Sequence, residues 1–166
     1  CRSGAECPFI RPPELSQVHI NLQAVQKFSL EMLEQDNYFP DLVVHLEETF
    51  PFREAGLLDG MIQHLLESGY DSVIAARSET GWMWKETVGK GFQRVDTGDV
   101  PREFKEKTLI GLQGLGCVTH PEFIRKENMT GFKIGLYEVI HPLASFEVRD
   151  PISQKISETL MHSFKI

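Results

Sequence analysis

The stretch "DLVVHLEETFPFREAGLLDGMIQHLLESGYDSVIAA", residues 41 to 76, constrains the fold more than any other part of the chain. An apolar run centred on Leu42, Val43 and Val44 predicts a strand over 41–46, and its unbroken centre predicts burial on both faces. From about Glu54 to Ser68, the residues Leu57, Leu58, Met61, Ile62, Leu65 and Leu66 recur at helical spacing. Glu54 suits the positive end of that helix, and Gly69 is a natural terminator. Asp71 to Ala76 then reads as a second buried strand. Strand, helix and strand at this spacing predict a βαβ unit with parallel strands and a right-handed crossover.

The flanking segments extend the same pattern. Asn21 is a candidate N-cap for a helix whose apolar positions are Leu22, Val25, Phe28, Met32 and Leu33. Residues 78–108 are polar and irregular, and Trp82 and Trp84 alternate there as on a short strand that covers a sheet edge. "IGLQGLGCVT" is an apolar, glycine-rich run with tight strand packing, and "HPEFIRKE" is a short helix. "FKIGLYEV" and "ASFEVRD" read as strands, and Asp150 followed by Pro151 starts a last helix with Ile152, Ile156, Leu160 and Phe164 on one side. The predicted fold class is α/β, three-layered, with a mostly parallel sheet and one domain over 1–166. In such sheets ligands bind beyond the carboxyl ends of the strands, which makes "EETFPFR" a candidate site loop.

Charge and composition narrow the partners. The net charge of −7 argues against a broad binder of nucleic acid. No apolar run approaches a membrane span. Cys1, Cys7 and Cys117 fit neither a disulfide framework nor a zinc site, and reduced thiols in a cytoplasmic protein are the simplest reading. The six histidines are dispersed and suggest no metal cluster, and His45 is a core or rim residue.

Four segments carry a resemblance to a known family. "GAECPFIRPPELS" (4–16), "LEETFPFR" (46–53), "LLESGYDSVIAA" and "GFKIGLYEVIHPLASFEVRDP" resemble the cytidylyltransferases that activate acidic sugars, most closely the acylneuraminate cytidylyltransferases. The resemblance implies a Rossmann-like fold of the nucleotide-diphospho-sugar transferase type. It implies transfer of a nucleotidyl group from CTP to an acidic sugar, with Mg²⁺ and release of pyrophosphate. It also implies that the chain is the C-terminal portion of such a domain, since the family's glycine-rich phosphate loop lies before the "GAE" segment. Homodimers form in that family through an insertion near the sugar, for which 80–108 is a candidate counterpart.

The resemblance also assigns residues. Glu47, Thr49, Pro51 and Arg53 fall on the sugar-contacting loop, with Glu47 where the family has Gln and Phe50 where it has Ser. Arg102, in "VPREF", falls on a Pro-Arg segment that holds the acidic substrate, and a guanidinium suits a carboxylate. The family's two metal-binding Asp positions fall on Glu147 and Arg149. Glu147 is the first candidate metal ligand, and Asp150 is either a second one or the helix N-cap. Arg149 binds a phosphate or pairs with an acidic neighbour. Glu47 and Glu48 either restore the missing carboxylate or form a solvated acidic pair. Arg53 either serves the substrate or holds the loop by pairing with Glu47 or Glu54.

Overall fold

The computed structural model describes residues 4–96 and 99–164, with the side chains of Arg102 and Phe164 left out. Helix α1 runs Leu22–Gln35, and the Asn21 side chain caps it by accepting from the Ala24 N–H at 2.9 Å. Strand β1 (Val43–His45) follows, then α2 (Leu57–Ser68) and β2 (Ser72–Glu79). Helix α2 starts two to three residues later than the periodicity predicts. Gly56, at φ +78°, makes the entry turn, and Gly69 closes the helix at φ +60°. Glu54 is therefore not a first-turn residue. Its carboxylate instead accepts from the Ile140 N–H at 3.0 Å and from the His141 N–H, tying the loop before α2 to the far end of the chain.

Next come β3 (Trp84–Thr87), β4 (Gly91–Arg94), β5 (Thr108–Gly111), β6 (Cys117–Thr119), the short α3 (Pro121–Arg125), β7 (Ile134–Glu138) and α4 (Pro151–Phe164). The architecture is mixed α/β. Strands β1, β2 and β7 share one direction, while β5 and β6 run against them. The predicted strand–helix–strand unit keeps its common direction but not its adjacency, because β6 lies between β1 and β2. Among the described residues strand β1 pairs with β6 alone, and it is half-buried where its apolar sequence predicts full burial.

Along one edge of β2, β5 and β6 are two parts of a single antiparallel line. Ala75 donates to the Gly116 carbonyl at 2.9 Å and accepts from the Leu112 N–H at 2.7 Å. Residues 113–115 are thereby expelled from the ladder. This enlarged bulge re-aims the chain where "GLQGLG" read as uninterrupted packing. The packing is nonetheless close: a Cβ on Gly116 would stand 3.0 Å from the Met61 sulfur.

The core lies between α2 and one sheet face. Leu57, Met61 and Leu65 pack against Val73, Ala75, Val118, Leu115 and Val139. Helix α1 packs on α3, where Phe123 and Ile124 are buried. Ser72 and Thr119 are buried polar residues that satisfy each other at 2.6 Å, and Ser72 also accepts from the Gly131 N–H. The stretch 146–150 is not a strand. A short turn over Pro142–Ser145 precedes it, and its Val148 N–H bonds to the Thr49 carbonyl at 2.8 Å instead of to a sheet. In α4, Asp150 and Pro151 open the helix as predicted, but Ser157 is the buried position and Ile152 faces outward at 73% exposure.

Asp71 ties β2 to the start of β7 by accepting from Phe132 N–H at 2.9 Å and Lys133 N–H at 2.8 Å. The Lys133 bond, with help from Phe132, holds its carboxyl below the ordinary value against the opposing effect of desolvation. A depressed folded-state pKa contributes stability that is complete above the unfolded value, about 3.9, and is lost as pH falls through the folded one. Asp71→Asn is expected to be less stable than wild type at neutral pH, with the gap closing in acid. Urea midpoints at a series of pH values from about 6 to about 2 check this.

Residues 84–94 form a separate two-stranded hairpin that, among the described residues, pairs with no strand of the main sheet. Trp82 and Trp84 do not cover a sheet edge; they are 66% and 56% exposed. Cross-strand pairing places Trp84 opposite Arg94 and Phe92 opposite Glu86, so all four share one face. The base of the hairpin is held by Asp96, which binds Arg94 at 3.0 Å and Lys105 at 3.1 Å.

Candidate functional site

Three separated segments converge at the carboxyl end of β1. The first is the loop 46–53 that leaves β1. The second is the expelled bulge 112–116, which enters β6 beside His45 because His45 pairs with Cys117. The third is 146–149, pinned to the first by the bond from Val148 to Thr49. Between them lies a cavity of about 370 Å³, lined by Glu47, Phe50, Ile74, Gly111, Leu112, Gln113, Gly114, Glu147 and Arg149.

Arg53 organises this convergence. Its Nε donates to the Leu115 carbonyl at 3.0 Å and its Nη1 to the Phe50 carbonyl at 3.0 Å. Its Nη2 donates to the Gly114 carbonyl at 2.9 Å and to the Glu47 carbonyl. One guanidinium thus ties the loop to the bulge, and burial pulls its pKa below the ordinary value while Glu47 opposes that shift. Arg53 holds the loop, as one of its two predicted roles, but through backbone carbonyls and not through Glu47 or Glu54 carboxylates. It does not line the cavity.

Glu47 is fixed from both ends. Its N–H donates to the Gly114 carbonyl at 2.8 Å. Its carboxylate lies 3.6 Å from His45 Nε2 and receives the Thr49 hydroxyl at 3.5 Å. His45 Nε2 is buried and has no hydrogen-bond partner among the described residues, the Glu47 carboxylate standing at 3.6 Å. Gly114 has no side chain to intrude: a Cβ there would stand 2.7 Å from Glu47 Cδ and 2.9 Å from Phe50 Cε2. Phe50, at 3% exposure, is a core residue whose ring edge forms the cavity floor.

Glu147 and Arg149 lie two apart on the third segment, and both line the cavity. Arg149 Nη2 stands 2.7 Å from Glu147 Oε1. That bond, reinforced by the charges of Glu147 and Glu47, raises the Arg149 pKa further. Arg149 therefore takes the second of its predicted roles and pairs with an acidic neighbour.

The remaining predicted residues fall elsewhere. Thr49 contributes its carbonyl and hydroxyl to holding the loop, and Pro51 is half-buried in the turn. Arg102 opens a short 3-10 turn, Arg102–Phe104, and its side chain lies outside the described residues. Asp150 is the N-cap of α4: it accepts from the Ser153 N–H at 2.7 Å and from its hydroxyl at 3.0 Å. These bonds also depress its pKa. Asp150 does not line the cavity. Glu147 is held by a guanidinium and Asp150 by a helix end. Among the described residues no group of three or more His, Cys, Asp or Glu is arranged to hold a metal ion.

Sequence reasoning reads 114–117 as tight strand packing, in a region where the resembling family has a strand that approaches the substrate, and does not name Gln113 or Gly114 as cavity walls. A signal was present in "LQGLGC", where two glycines interrupt an apolar run, since such a glycine marks a bulge or a close approach. A second groove of about 360 Å³ runs along α4, but its lining is Pro151, Ile152, Lys155, Ile156, Thr159 and Leu160, with one titratable group. The cavity at 47, 114 and 147–149 carries three charged side chains, and another, of about 430 Å³, is lined by Arg77, Glu138 and His141 among others.

The fold and site together define a mixed α/β protein with an acceptor-rich cavity at the carboxyl end of β1, two carboxylates against one guanidinium. No protein-family model matches the chain, and no curated protein matches it. No helix among the described residues is long and apolar enough to cross a membrane.

Proposed function

We propose that the chain carries the sugar-binding side of a cytidylyltransferase-like site, in a Rossmann-like, three-layer domain. The reaction would join a nucleotidyl group from CTP to an acidic sugar such as an acylneuraminate, releasing pyrophosphate, in the cytoplasm. One observation carries this reading. The segments "LEETFPFR" and "ASFEVRD" lie about a hundred residues apart, and both supply walls of one cavity through Glu47, Glu147 and Arg149. The chemistry suits polyhydroxyl recognition. Carboxylates accept from hydroxyls, a guanidinium donates, and Phe50, Ile74 and Leu112 offer apolar surface to carbon-bound faces.

The resemblance puts the phosphate-holding loop ahead of the "GAE" segment, so the test uses the full-length gene product. Pyrophosphate release that requires both CTP and an acidic sugar supports transfer. Its absence with every acidic sugar contradicts transfer. A second reading, a non-catalytic binder of the same fold, is favoured by the Arg149–Glu147 pair standing where two metal-binding carboxylates are expected. Binding of sugar without pyrophosphate release selects it.

Self-association belongs to the same proposal. A lone two-stranded hairpin is marginal in water unless its apolar face is covered. Trp82, Trp84 and Phe92 are all more than half exposed on this one. A second copy is the proposed cover. Sedimentation velocity is expected to show a dimer for wild type and a monomer for Trp84→Lys; a wild-type monomer at every concentration contradicts it.

A further inference from the structure

We propose that the Arg149 guanidinium takes the place of a divalent cation in this cavity, so that the site carries a built-in positive charge and binds no metal there. The inference rests on the proposed site, not on the transfer reaction. Glu47 and Glu147 are the two carboxylates among the residues that line the cavity, and Arg149 lines it beside them. Hard divalent ions need several oxygen ligands, carboxylates first. Arginine has none to offer and brings a fixed like charge. The backbone makes the arrangement durable. Val148 is bonded back to Thr49, and the Arg149 N–H donates to the Ser153 hydroxyl at 3.0 Å. Residues 147 and 149 are thereby held toward the same space. Glu147 is only 21% exposed, and the guanidinium holds its Oε1 at 2.7 Å, competing with a metal for that oxygen. Arg149 itself is 74% exposed, which leaves its other N–H groups open to a ligand's oxygen atoms.

Water-proton relaxation with Mn²⁺, on the 166-residue chain, tests this without any substrate. Wild type is expected to show no Mn²⁺ binding that Glu147→Gln removes. Arg149→Asp supplies a third carboxylate in place of the cation, and is expected to tighten Mn²⁺ binding about tenfold or more, the scale on which changes around a metal act. Adding Glu147→Gln to Arg149→Asp should abolish that gain. Arg149→Gln, which keeps size and loses charge, should give a smaller gain and guards against misfolding of the Asp variant. A wild-type Mn²⁺ site lost in Glu147→Gln overturns the proposal. So does the absence of any gain in both folded Arg149 variants, because Glu47 and Glu147 would then not converge. Pyrophosphate release by the full-length protein reads the transfer proposal separately, so the two fail independently.

Discussion

Arg53→Ala is expected to lower the unfolding free energy by about 3 kcal/mol, since leaving a buried acceptor unpaired costs about 1–3 kcal/mol. Four carbonyls depend on this guanidinium, those of Glu47, Phe50, Gly114 and Leu115. The full sum over four is not expected, because water enters part of the opened loop and satisfies some of them. Arg53→Lys should recover little, because one ammonium cannot reach carbonyls on two segments as the planar fork does. Urea unfolding followed by circular dichroism checks both variants. A lysine variant as stable as wild type would mean that charge alone, and not the fork, holds the loop. The ligand site should suffer with the fold, because the same bonds place the Glu47 and Gly114 walls of the cavity.

Gly114→Ala is expected to cost about 1–3 kcal/mol, the usual range for overpacking a filled site. The backbone at Gly114 is not among the positive-φ positions, so the penalty is steric. The new methyl would meet Glu47 Cδ and Oε2 at 2.7 Å and Phe50 Cε2 at 2.9 Å. Phe50 is set in the core with Leu57 and Met61 and has little room to move. The Glu47 carboxylate is the flexible end, so it yields and swings out of the cavity. Stability measured by urea and ligand affinity should therefore fall together. If affinity falls while the urea midpoint is unchanged, Phe50 is less confined than its burial indicates.

Elements with a local signature were legible in the sequence. Asn21 capping α1, Gly69 closing α2, and Asp150 with Pro151 opening α4 all rest on contacts within a few residues. What sequence reading missed depends on distant partners. Placing β6 between β1 and β2 requires Val118 to pair with Val44 on one side and Val73 on the other. No periodicity encodes that choice. The pattern of Leu42 to Val44 predicts burial on both faces, but all three residues of β1 are half-buried, sharing a groove with α1. Arg53 was recognised as a loop residue, yet its four carbonyl partners include two that lie about sixty residues away. Glu47 and Phe50, and Glu147 with Arg149, line the cavity from two segments that the sequence reading singles out. The third, Gln113 and Gly114, emerges only once Ala75 is seen to bond both Leu112 and Gly116. In α4, Ile152 and Ile156 are exposed while Ser157 is buried, which the apolar spacing along one side does not foretell.

The most direct test of the ligand site follows backbone amide shifts of the chain during titration with N-acetylneuraminate and with CMP. The account predicts saturable shifts clustered at Glu47, Gln113, Gly114, Glu147 and Arg149, and their loss in Gly114→Ala. Shifts confined to the α4 groove, or none at these five residues with either ligand, would contradict it.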